Sequence, residues 1–290
     1  MARFACIFSL LLASRAHAQQ PSDGAQLHWS PHRRVGLVEY AVTLGSPVLL
    51  RMANYALTEP SSARLGSGVL FDDDARDALR LRSRNRRDAA DLFSDVTWLS
   101  SMAYPYVDAL LVAWLLRDSP DVAWQMIVIS TQAFSITSFV TELSIHHAAR
   151  ERPGQQECAV DPNYAPTCSS NASFHSFPSG HTAGAFVGAG LACAHHLNLP
   201  LYDGGAADVV ACGLALTWAS ANALARIASD RHWVSDVIVG AGIGLSLGWL
   251  MPELLYFADP EEGGLSTGRP LVLPFASPDG SVGLFTTGTL

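Results

Sequence analysis

Phe177-Pro178-Ser179-Gly180-His181-Thr182 sets turn residues directly ahead of an apolar, helical run that continues through about Leu197. A Ser-Gly pair opening a helix offers unpaired backbone N–H groups and the positive end of the helix dipole, which together make an anion site. His181 stands in that first turn, where it can hand a proton to whatever leaves the anion. About fifty residues on, Arg226, His232 and Asp236 lie where one apolar helix ends and the next begins. His232 and Asp236 are four apart, so on a helix they share a face. The expectation is that the Asp236 carboxylate holds one imidazole nitrogen and leaves the other free as a nucleophile. Arg226 adds a planar fork suited to phosphate oxygens. Arg150-Glu151-Arg152-Pro153 closes the preceding helix and can supply a further guanidinium.

These three pieces, in this order, resemble the type 2 phosphatidic acid phosphatase superfamily, which also holds bacterial acid phosphatases and vanadium haloperoxidases. The family pattern is Lys-x6-Arg-Pro, then Pro-Ser-Gly-His, then Ser-Arg-x5-His-x3-Asp. Arg152-Pro153, Pro178 to His181, Arg226, His232 and Asp236 match it, over roughly Asp91 to Phe257. Two positions depart: Ile145 stands at the family Lys, and Ala225 at the Ser before the third-motif Arg. The resemblance implies a phosphohistidine on His232, oriented by Asp236. It makes His181 the acid and then the base, and has Arg152, Arg226, Ser179 and the Gly180 N–H hold the phosphoryl oxygens. It implies no cofactor and no metal. Arg150 and Arg231 read as rim charges, and His175 as a residue near the pocket entrance.

The elements that must hold these residues are helices. With 290 residues, 49% hydrophobic and 15% charged, and a mean hydropathy of +0.20, the chain can build one full core and leans toward a membrane protein. Apolar helices are expected over Val96–Leu116, Val122–His146, His181–Leu197, Ala206–Ala228 and Ser235–Tyr256, each near the roughly 20 residues of a span. The fold class expected is all-α: a bundle of five to six mostly transmembrane helices, PAP2-like, with a short C-terminal β-hairpin in residues 271–290. Residues 1–18 read as an export signal or retained anchor, with Arg3, an apolar run and Ala16-His17-Ala18. Residues 19–95 form a polar and amphipathic segment, 96–257 the phosphatase domain, and 258–290 a tail. Val35–Leu57 reads as a helix that does not cross. The Asp72–Asp74 and Arg84–Arg87 charge runs read as a solvated or interfacial face.

Two helices before Arg152 then put all three motifs on the outer side of the inner membrane. Cys158 and Cys168 bracket a polar loop in an exported context and are expected to form a disulfide; Cys193 and Cys212 read as separate core residues. A net charge of −8 excludes a nucleic-acid partner, every cation is Arg, and no obligate protein partner is evident. The activity expected is metal-independent hydrolysis of lipid phosphomonoesters or diphosphates. The alternatives are a soluble periplasmic acid phosphatase, a vanadium haloperoxidase, or a membrane scaffold impaired by Ile145.

Overall fold

The structure, a computed structural model, describes residues 26–258 except 57–59, 61, 67, 166, 167, 169 and 170, together with 271–276 and 282–287. The expected signal at residues 1–18 lies outside the described residues. Seven helices position the site: α1 (Leu37–Ala56), α2 (Asp72–Leu79), α3 (Arg84–Val107), α4 (Pro120–Ala148), α5 (Gly180–Asn198), α6 (Ala206–Ala228) and α7 (Val234–Leu245). α3 continues with π-type hydrogen bonding through Asp108–Leu116, and α7 runs on in the same manner to Phe257. Beyond the bundle, Leu271–Ala276 and Val282–Thr287 pair antiparallel, Leu271 opposite Thr287 and Ala276 opposite Val282. The residues joining them lie outside the described part.

α5 is the axis of the bundle. It packs on α3, α4, α6 and α7, and nearly every residue from Thr182 to His196 is buried. Its Gly and Ala residues explain this, because only small side chains let four helix backbones close on a fifth. At Gly188 an added Cβ would collide with the Ser101 carbonyl of α3, and at Gly248 with that of Val187. Gly188→Ala therefore drives α3 off α5, and we expect a melting temperature in detergent lower by at least several degrees.

The bundle is apolar outside and partly polar within. Leu115, Val210, Leu214, Trp218, Leu224, Ile238 and Leu254 are exposed, whereas Gln125, Ser130, Gln132, Thr137 and Asn222 are buried. So large an apolar exterior fits a lipid surround. Among the described residues four helices are long and apolar enough to cross a membrane: Arg84–Leu116, Pro120–Ala148, Ala206–Ala228 and Val234–Phe257. Five to six were expected over the whole chain. The helix that falls short is the central one, whose composition answers to its neighbours rather than to lipid.

Two other expectations change. α3 begins at Arg84 rather than Val96, so its charged first turns extend the bundle instead of preceding it. The charge runs are a solvated face only in part: Asp73, Asp74, Arg84 and Arg86 are exposed, but others turn inward. Asp72 is fully buried, and Arg76 and Arg87 nearly so. Arg76 binds Asp230 through Nε and Nη2, both at 2.7 Å, and the Arg87 guanidinium stacks over Tyr164 at 3.8 Å. This segment clamps the loops that carry the motifs. Finally, Cys158 and Cys168 are bonded, and so are Cys193 of α5 and Cys212 of α6. The second pair corrects the expectation of two separate thiols: small residues bring the two Cα atoms to 4.4 Å.

Candidate active site

The three motifs meet at one end of the bundle. His232 follows α6 and is 3% exposed. Its Nδ1–H donates to the Ser176 carbonyl at 2.7 Å, which fixes the tautomer and leaves Nε2 as the free lone pair. Nε2 faces Arg152 Nη1 at 3.4 Å. Burial, then Arg152 and Arg226, hold the imidazole pKa well below its usual value, so the ring stays neutral.

Asp236 does not hold His232 directly, in contrast to the sequence expectation. Its Oδ2 is 3.8 Å from Nδ1, beyond hydrogen-bond reach. It takes the Ser176 hydroxyl at 2.6 Å, the Trp233 amide at 2.9 Å and Arg150 Nη1 at 2.5 Å. Ser176 thus links the two, its hydroxyl to Asp236 and its carbonyl to His232. The i,i+4 argument fails because His232 precedes α7 and only Asp236 lies on it.

Arg150 is neither rim nor substitute for a missing cation. It is 3% exposed, and besides Asp236 it binds Ser235 Oγ and Asp72 Oδ2, each at 2.7 Å. This arginine ties α2 to α7 beneath the site. Arg150→Ala strands two buried carboxylates, and we expect about 3–5 kcal/mol of lost stability, read by thermal or denaturant unfolding.

Arg152 gives Nε–H to the Ala172 carbonyl at 2.8 Å and Nη1–H to that of Arg231 at 3.0 Å. Among the described residues it has no carboxylate partner. Burial, then the neighbouring Arg226 and Arg231, push its pKa down to about 9. A third guanidinium, Arg226, gives Nη1–H to Asp91 at 2.7 Å and to Ser94 Oγ at 3.0 Å, while its buried Nε finds no partner among the described residues. Arg231 shares Asp91 at 2.6 Å. Arg152, Arg226 and Arg231 have the one Asp91 carboxylate among these contacts, so the cluster keeps an excess of positive charge that a tetrahedral oxyanion can balance.

At the start of α5, Ser179 departs from its expected part. Its Oγ caps the helix, accepting from the Thr182 amide at 3.4 Å and meeting Thr182 Oγ1 at 2.9 Å. The Ala183 amide goes to the Ser179 carbonyl. The Gly180 and His181 amides remain unclaimed among the described residues, and the space above Gly180 is open. His181 contacts Asp95 of α3 through Nε2 at 3.0 Å and lies against Trp98 at 4.8 Å between ring centres. His175 neighbours His146, 5.9 Å between ring centres.

Ser176, Asp91 and Asp95 are the residues that sequence reasoning missed. Asp91 and Asp95, four apart on α3, carried a faint signal as two acids sharing a face beside an apolar run. At the far end of the bundle His196 sits between Asp108 and Asp208, at 3.1 and 2.5 Å, in a buried cluster apart from the motifs.

Three comparisons bear on this arrangement. The model of the PAP2 superfamily matches residues 123–259. The lipid A 1-phosphatase of Porphyromonas gingivalis is 38% identical over 89 residues, which are 30% of this chain; the match spans 18% of that relative's length. A crystal structure titled as the first transmembrane PAP2 type phosphatidylglycerolphosphate phosphatase, from Bacillus subtilis, superposes with a TM-score of 0.46 at 17% identity. That superposition covers 73% of this chain and 92% of the other.

Proposed function

Taking as premise that the chain belongs to the PAP2 superfamily through residues 123–259, we propose that it is a membrane-embedded phosphatase of lipid phosphate esters. The observation that carries this reading is Arg152, without a carboxylate partner among the described residues, set 3.4 Å from the free nitrogen of His232. The chemistry runs in two steps. His232 Nε2 attacks phosphorus, the bond to the leaving oxygen breaks, and His181 gives that oxygen its proton. Water then attacks the phosphohistidine, His181 takes the water's proton, and inorganic phosphate leaves. Arg152, Arg226 and the Gly180 amide stabilise the equatorial oxygens, whose charge grows in the transition state. Asp236 acts through Ser176 to hold the His232 ring in place.

The apolar exterior supports a lipid substrate entering sideways, and it disfavours the soluble acid phosphatase reading. With α5 crossing alongside the four longer helices, the motifs stay together on one side, which we assign to the exterior of the inner membrane. The experiment is inorganic phosphate release by the purified chain in detergent, over a panel of lipid and soluble phosphomonoesters, with orthovanadate as inhibitor. Release from lipid substrates blocked by micromolar vanadate is the expected result. Oxidation of bromide by the vanadate-loaded chain without any phosphate release overturns it in favour of haloperoxidase chemistry.

A further inference from the structure

α7 opens on Trp233, an N-cap residue whose indole has only an N–H to offer and gives it to the Glu151 carbonyl at 2.9 Å. The oxygen that an N-cap side chain lends to the first amides of a helix has to come from elsewhere. It comes from α2. Asp72 Oδ1 accepts from the Ser235 amide at 2.8 Å. Its Oδ2 accepts from Ser235 Oγ at 2.6 Å, Arg150 Nη2 at 2.7 Å and the Val69 amide at 3.0 Å. Gly68 permits this approach, since a Cβ there would stand 2.9 Å from the Asp72 Cβ. The chain just before it is tied to the motif loop, with the Arg64 amide on the Ala149 carbonyl and the Glu151 amide on that of Leu65. α2 lies outside the residues 123–259 that the family model matches, so this cap is an addition to the part of the chain that model describes.

From Asp72 the contacts lead on to the nucleophile. Arg150 gives Nη2–H to Asp72 and Nη1–H to Asp236, so one planar fork spaces the two carboxylates. The ring of Trp233, the residue after His232, lies 5.6 Å from the same guanidinium. Asp236 takes the Ser176 hydroxyl, and the Ser176 carbonyl takes His232 Nδ1. Burial pushes the Asp72 pKa up, but Ser235, Val69 and Arg150 pull it below the ordinary carboxylate value, which keeps the cap ionised. The direction of Nε2 thus depends on the first turn of α7, and that turn on a carboxylate from α2. In-line attack is sensitive to such placement: an error of about 1 Å costs about 10²-fold.

We infer that Asp72 is a positioning residue for the nucleophile: it caps α7 from outside that helix and, through Arg150, Asp236 and Ser176, aims the His232 lone pair. The inference rests on the phosphatase reading above. Asp72 touches neither substrate nor the reacting atoms, and it leaves the anion site of Arg152, Arg226 and the Gly180 amide alone. Its loss therefore acts on the rate of attack and not on the binding of phosphate.

The test is rapid quenching of the full chain in detergent with labelled phosphatidic acid, lysophosphatidic acid and farnesyl diphosphate, reading both the rate constant and the yield of phosphoenzyme. Asp72→Asn keeps the volume but turns an amide NH₂ toward donors. It is expected to slow phosphoenzyme formation about ten- to a hundredfold per trapped site. Inhibition by inorganic phosphate should stay within about twofold of wild type, because the anion site is untouched. Asp74→Asn, exposed on the same turn of α2, should match wild type. Ser235→Ala, a milder cut at the same contact, should slow the step about threefold, and it decides the matter if Asp72→Asn does not fold. An unchanged rate constant, with only melting temperature or phosphoenzyme yield lowered, makes Asp72 a strut and overturns the inference alone. Phosphate inhibition that weakens in step with the rate overturns it as well. Absence of His232-dependent phosphoenzyme from all three probes overturns the phosphatase reading, and the inference with it.

Discussion

Replacing His232 with alanine lowers phosphate release by about 10⁴-fold or more, the scale seen when a covalent nucleophile is removed. The size follows from the geometry. His232 Nε2 is the unprotonated imidazole nitrogen, because the Ser176 carbonyl occupies Nδ1, and it lies beside the Arg152 guanidinium, which has no carboxylate partner among the described residues. No neighbouring group can take over the attack: Asp236 is enclosed by Ser176, Trp233 and Arg150. Rapid acid-free quenching of the wild type with labelled substrate should trap a phosphoenzyme that survives alkali and decays in acid, as a phosphoramidate does. His232→Ala should give none. Equal phosphate release by wild type and variant would remove His232 from the reaction.

The pH dependence is part of the same expectation. Burial and two guanidiniums keep the His232 pKa well below 6.5, so its lone pair is not lost as pH falls through the ordinary histidine range. A rate that falls on the acid side near pH 6.5 would then report a different group. Stability behaves in the opposite sense. In the unfolded chain His232 binds a proton below about pH 6.5, whereas in the folded chain it does not, so its contribution is present above that pH and is lost as pH falls.

How much of this could be read from the chain depends on the distance between the residues that cooperate. Pro178 to His181 and Arg226 to Asp236 are local patterns, and their spacing alone brings each set to a helix end. Asp236 illustrates the limit. Its spacing from His232 suggested a direct contact, yet the helix starts between the two residues, and a serine sixty positions earlier intervenes. Asp72 illustrates it further: within a run of acids and arginines it looked solvated, but it is buried by Arg150 and Ser235, 78 and 163 residues away. No window along the chain contains those partners. The helices themselves were legible because apolar length is a local property. That the central helix falls short of a spanning hydropathy was not, because it follows from how four helices pack around it.

Arg226 gives the other large effect, and it separates the anion site from the nucleophile. Its fork already binds Asp91 and Ser94 through Nη1, which holds the planar group in one orientation, while its buried Nε has no partner among the described residues. An oxygen of the transferring phosphoryl group is the natural acceptor for that N–H. Arg226→Ala should cost about 10²–10³ in kcat/KM, the range for removing one preorganised donor from a developing oxyanion. Vanadate, which mimics the trigonal bipyramid, should lose affinity by a similar factor. Arg226→Lys keeps the charge but not the fork, and should recover only a small part of either quantity. If Arg226 were only a strut between α3 and α6, alanine would lower the melting temperature while lysine restored activity and vanadate binding together. The split between kcat and vanadate affinity on one side, and melting temperature on the other, decides between a group that touches the phosphoryl oxygens and one that merely joins two helices.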